Sequence, residues 1–164
     1  MLNFYRNNPA LYTLDNEIEG FEWINNISAN ECIIVFLRKC QEQTLLVVCN
    51  FANISRDQYK IGVPFAGKYK EIFNSDDQKY GGTGYVNPRV KVSKKDECDG
   101  RDDSLRIKVA PLSVSVFRYD GEAEPRKAPV KKKKKGTASG RKAVKDLRHE
   151  LEEKYNREER GLTD

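Results

Sequence analysis

Phe21 and Trp23, with one position between them, are the first side chains whose type and spacing suit binding chemistry. In a strand, alternate residues share a face. The pair would present two flat rings side by side, and the apolar face of a sugar ring packs well on an aromatic face. The competing reading is packing in a core or between domains, where a large aromatic contributes buried area, and it is the favoured one, more strongly for Phe21. Glu22 points the other way, either to hydrogen-bond a sugar hydroxyl or, as expected of most carboxylates, to sit solvated. A second group is Tyr80-Gly81-Gly82-Thr83-Gly84-Tyr85. It has the glycines of a phosphate loop but lacks the lysine and the strand–loop–helix setting such loops need. The expectation is a flexible loop that leaves Tyr80 and Tyr85 at the surface.

The remaining reactive types point to no site. Cys32, Cys40, Cys49 and Cys98 form no Cys-x-x-Cys pair, and the single histidine, His149, lies far from them near the C-terminus. A zinc site needs clustered thiolates or imidazoles, so no metal and no cofactor is expected. Nothing resembles a nucleophile beside a base; no residue is assigned a catalytic role. The N-terminus has no apolar signal core, and no run approaches the roughly 18 apolar residues of a membrane span. Thiols in a reducing cytoplasm fit better than disulfides. The sequons at Asn26 and Asn53 are then accidental.

The charge is uneven. Of a net +5, residues 1–119 hold 16 Lys and Arg against 15 Asp and Glu, while residues 120–164 hold 14 against 10. Five consecutive lysines, Lys131–Lys135, could hold an acidic partner, nucleic acid included, by salt-sensitive phosphate contacts. They have no interleaved aromatics, so a solvated tail is expected, with neither nucleic acid nor a membrane as partner.

Strands must position these groups. Leu45–Phe51 is an almost continuous apolar run and reads as a strand buried on both faces. Cys32–Lys39 is a second strong strand, and Cys40–Gln43 has hairpin length. Glu19–Ile24, Tyr59–Val63, Lys68–Phe73, Ser104–Val109 and Leu112–Phe117 alternate or carry short apolar runs, with Leu105, Ile107 and Val109 inward. Residues 74–103 read as a long polar loop. Leu2 and Tyr5 have helical spacing, ended by Pro9, in a piece too short to stand alone. Six or seven short strands without an internal helix predict an all-β, antiparallel β-sandwich. From Asp120 the prolines, lysines and Gly136–Gly140 are linker composition. Beyond it Val144, Leu147, Leu151 and Tyr155 trace a narrow helical stripe in a charged segment.

Several separated segments carry a family resemblance. Leu2–Arg6, Pro9–Tyr12 and Gly20–Ile24 are similar to the junction between catalytic barrel and C-terminal domain in bacterial 1,4-alpha-glucan branching enzymes, members of the alpha-amylase superfamily. The likeness runs on through Phe36–Lys39, Leu46–Phe51, Tyr59–Pro64, Gly67–Asp76 and Tyr80–Gly84, and ends near Ala110–Ser113. It implies an alpha-amylase-type C-terminal domain at 15–119 and the end of the last barrel helix at 1–14; it does not extend to the tail, where composition instead gives a flexible basic linker at 120–140 and a charged segment, disordered or partly helical, at 141–164. It implies a non-catalytic part of an enzyme that cuts an α-1,4 glucan linkage and re-forms it as an α-1,6 branch. The retaining carboxylates of that chemistry lie in the barrel, ahead of Met1. The implied partners are the barrel and α-glucan (glycogen), with Trp23, Phe21, Tyr80 and Tyr85 as candidate glucan contacts. A free-standing carbohydrate-binding module, or a fragment whose basic tail binds nucleic acid, are the alternatives.

Overall fold

The computed structural model describes residues 1–26 and 30–122. A short helix, α1 (Leu2–Arg6), precedes nine strands: β1 (Phe21–Asn25), β2 (Ile33–Lys39), β3 (Thr44–Asn50), β4 (Arg56–Val63), β5 (Lys68–Asn74), β6 (Lys91–Val92), β7 (Lys94–Cys98), β8 (Arg101–Val109) and β9 (Ser113–Tyr119). Pro9 stops α1 as its spacing predicts and opens a 3₁₀ turn, Pro9–Leu11. One sheet has the order β1-β2-β3-β9-β5-β6 and the other β4-β8-β7. Every pairing is antiparallel.

The two sheets face each other across one core. Ile33, Val35 and Leu37 of β2, Leu46 and Val48 of β3, and Phe117 of β9 meet Ile61 and Val63 of β4 and Leu105, Ile107 and Val109 of β8. Alternation predicts the inward Leu105, Ile107 and Val109 of β8, whereas β2 and β3 are continuous apolar runs whose inward half only the pairing selects. The expected β-sandwich is thus the observed fold.

Strand β3 is buried on its other face too, where Leu45, Val47 and Cys49 join Phe73, Val116 and Ala10 in a second apolar cluster. The N-terminal segment supplies part of that cover. The Arg38 guanidinium donates to the Leu11 carbonyl (3.1 Å) and to Asp15 (2.5 Å), and Ala10 N donates to Gln43 Oε1 (3.2 Å).

Residues 74–103 differ from the long loop expected. They contain β6, β7 and the start of β8. Lys94–Cys98 is polar throughout because β7 is the edge strand of the small sheet, so it shows no apolar alternation. Asp99-Gly100 makes the β7–β8 turn, both residues at positive φ (52° and 69°), the geometry of a two-residue hairpin. Asp99 also accepts from Gly62 N (2.8 Å) and Asn25 Nδ2 (2.9 Å), which ties the turn to β4 and β1.

The linker and tail expected at 120–140 and 141–164 lie, from residue 123 on, outside the described residues.

Candidate functional site

Register across the large sheet builds a row that no single strand reveals. Trp23 of β1 pairs with Phe36 of β2, Phe36 with Val47 of β3, Val47 with Val116 of β9, and Val116 with Phe73 of β5. All five belong to the face turned away from the core. At about 4.8 Å per strand the row is roughly 19 Å long. Phe36, Val47, Val116 and Phe73 line an apolar groove of about 470 Å³, with Leu2 and Tyr5 of α1 on its rim.

Aromatic side chains stand at both ends of the row. Phe21 stacks on Phe36 with centroids 5.2 Å apart, and Trp23 meets both edge-on, at 4.9 Å from Phe21 and 5.8 Å from Phe36. Trp23 is 47% exposed and Phe21 half-buried. Neither lies in the core between the sheets; both join the outer face, so of the two packing readings the one left to them is packing between domains. Tyr80 sits at the far end, its ring 5.5 Å from Phe73, with Lys79 Nζ 5.0 Å above it and half its surface exposed.

Tyr85 goes elsewhere. Its hydroxyl donates to Asp57 of β4, and Lys108 Nζ of β8 lies 5.0 Å over its ring. Desolvation and the neighbouring Asp57 carboxylate push its pKa up to about 12. The structure therefore brings Phe21 and Trp23 together, sets Tyr80 across the row from them, and sends Tyr85 to the small sheet.

The Tyr80–Tyr85 segment is not the flexible loop expected. The Asp76 carboxylate accepts from Thr83 N (3.0 Å), Thr83 Oγ1 (2.6 Å) and Tyr85 N (2.9 Å), and Gly84 N donates to the Asp76 carbonyl (2.7 Å). A Cβ on Gly82 would lie 2.2 Å from that carbonyl oxygen, so only glycine fits. Behind it, buried Asn87 donates its N (2.6 Å) and Nδ2 (3.0 Å) to Glu71 and exchanges hydrogen bonds with the Lys108 backbone. Glu22 also departs from expectation. It is not simply solvated: it accepts from Lys39 Nζ (2.7 Å) and pairs with Arg101, joining the two sheets at one edge. Lys39 first, with Arg101, holds its carboxyl below the usual range despite desolvation.

Among the described residues no three His, Cys, Asp or Glu side chains gather to hold a metal ion, and no helix is long and apolar enough to cross a membrane.

The fold is thus a two-sheet β-sandwich whose larger sheet carries a second apolar cluster on its outer face, partly covered by the N-terminal segment. The family model for the alpha amylase C-terminal all-beta domain matches residues 23–120, and the chain belongs to that family. Among curated proteins it is similar to the 1,4-alpha-glucan branching enzyme GlgB of Oceanobacillus iheyensis. That likeness is 43% identity over 122 residues, covering 73% of this chain and 19% of the relative. The corresponding enzyme GlgB 1 of Clostridium perfringens is 42% identical over 117 residues, 70% of this chain and 17% of its own. GlgB of Rubrobacter xylanophilus is 40% identical over 116 residues, 70% and 16%. The match thus spans less than a fifth of these relatives' length.

Proposed function

We propose that the chain serves as the non-catalytic C-terminal β-domain of a 1,4-alpha-glucan branching enzyme, and that its outer sheet face braces the enzyme's catalytic barrel. One observation carries this reading: the in-register row Trp23–Phe36–Val47–Val116–Phe73 with its 470 Å³ groove. A two-layer sandwich complete in itself turns polar residues outward on that face. Here Val47, Val116 and Phe73 form an apolar cluster that the chain itself already buries, and the apolar side chains left exposed around the groove are Leu2, Tyr5, Trp23 and Tyr80, a grouping of the kind that marks a docking site. The flat row suits a packed neighbour. In the parent reaction the barrel's carboxylates would do the chemistry, and this domain would hold the barrel's flank.

Co-expression with the Oceanobacillus iheyensis GlgB lacking its own matching domain tests this. The 164-residue chain is expected to co-purify with it and restore branching, read as a shift in the glucan–iodine spectrum. Leu2→Asp changes a residue on the groove rim that is 78% exposed. It should cut recovery about tenfold and leave the chain's own Tm unchanged. A folded wild-type chain that recovers no partner overturns the reading.

A second reading, that the chain binds α-glucan directly, has its own support in the half-exposed rings of Trp23 and Tyr80, on which glucosyl rings can stack. Affinity electrophoresis in glycogen separates the two. Retardation lost in Trp23→Ala puts glucan at that end of the row. An unretarded, folded chain leaves Trp23 to packing against the barrel.

A further inference from the structure

The apolar surface continues past the groove along the strand direction. Two residues on from the first row, Ile34, Cys49 and Val114 pair in register as a second outward row. Beyond that, at the end of the sandwich, Phe51 and Leu112 border a hollow of about 160 Å³ together with Val114. Val114 also lines the large groove, so the two surfaces are one. Phe51 is 62% exposed and Leu112 67%.

Leu112 has a φ of 45°. That left-handed conformation is strained for a branched, bulky side chain and is the natural place of glycine or asparagine. The backbone around it is locked. Asn50, 2% exposed, donates Nδ2 to the carbonyls of Ala110 (2.8 Å) and Ile54 (2.9 Å) and accepts from Ala52 N (3.0 Å). Leu112 N donates to the Ala52 carbonyl (3.0 Å). A buried amide therefore enforces a conformation unfavourable to leucine, and the leucine side chain then points into solvent. Neither folding nor solubility rewards that combination. Strain of this kind persists where the side chain it presents is used.

We infer that Phe51 and Leu112 form a second anchor of the docking surface, continuous with the groove through Val114, and that its occupant is the catalytic part of a branching enzyme. The inference rests on the proposed function. Continuity through Val114 argues for one partner over both anchors. The relatives supply the material for it, since about four-fifths of the Oceanobacillus iheyensis enzyme lies outside the match. A sugar is a poorer fit, because aliphatic Leu112 offers no flat face for a pyranose.

The test uses the same co-expression with the truncated Oceanobacillus iheyensis GlgB, now with Leu112→Gly and Phe51→Ser. Leu112→Gly relieves the strain, so the chain's own Tm should rise by about 2–5 °C. Recovery of the partner should nonetheless fall about tenfold or more, and Phe51→Ser should lose as much with an unchanged Tm. Wild-type recovery by both variants, while Leu2→Asp still fails, overturns the second anchor and leaves the proposed function standing. A fall in the Tm of Leu112→Gly overturns the strain argument, since the leucine would then be packing. If the wild-type chain recovers nothing, both proposals fall. Sedimentation of the chain alone completes the set: a dimer abolished by Leu112→Gly would make the occupant a second copy and overturn the assignment.

Discussion

Asp76 gathers a loop around one carboxylate, and its titration should be visible in that loop. The Thr83 hydroxyl, then the Thr83 and Tyr85 amides, hold its pKa below the ordinary aspartate value. A lowered folded pKa means that the stabilisation is present above the unfolded value and is lost as pH falls through the folded one. The protection of the Thr83 and Tyr85 amides, read by NMR as exchange relative to the intrinsic rate at each pH, should therefore persist until pH falls below the ordinary aspartate range. Asp76→Asn should show fast exchange at neutral pH and no acid step. Gly82→Ala places a methyl group against the Asp76 carbonyl and should cost about 1–3 kcal/mol in urea unfolding. A loop that merely wandered, as the glycines alone suggest, would tolerate both changes.

The large sheet has two faces, and substitutions on its neighbouring strands β3 and β9 should divide accordingly. Leu46 points into the core between the sheets and is fully buried. Leu46→Ala should lose about 2–5 kcal/mol by urea denaturation. Val114, opposite Cys49 on the outer face, is only half-buried, so Val114→Ser should stay within about 1 kcal/mol in the isolated chain. On the proposed docking through the outer face, it should nonetheless weaken capture of the barrel part. The β7–β8 hairpin depends on its turn. Gly100 has a φ of 69°, and a β-branched Gly100→Val there should lower the Tm by several degrees through the strained turn.

The whole molecule sets a nearly neutral β-domain, 16 basic against 15 acidic side chains over residues 1–119, beside an apolar outer face. Contact through that face would draw on burial of apolar surface more than on charge, and its salt dependence should be weak. An apolar dye such as ANS should bind the isolated chain and be displaced when the truncated branching enzyme is added. Leu2→Asp should dim the free signal. Undiminished dye fluorescence in the complex would place the contact on another face.

By itself the sequence determined the sandwich, the strands of its core and the family. Those signals are local: period-2 alternation in β4, β5 and β8, apolar runs in β2 and β3, and segments whose order can be compared one by one. It also held the Asp99-Gly100 hairpin, a dipeptide legible by its turn preference but flanked by the polar β7, where no alternation drew attention to it. Tertiary structure alone decided the site. Trp23, Phe36, Val47, Val116 and Phe73 are scattered over ninety-odd positions and become neighbours only through the register of five strands, which pairing and turns set together. Tyr80 and Tyr85 are five residues apart, yet hydrogen bonds to one aspartate turn the chain so that one ring lies on the docking face and the other on the small sheet. Leu112 reads as the first residue of a strand until a buried asparagine sixty-two positions earlier holds the surrounding turn and its backbone goes left-handed. Strain and register are properties of contacts between distant segments, and a chain read in order does not contain them.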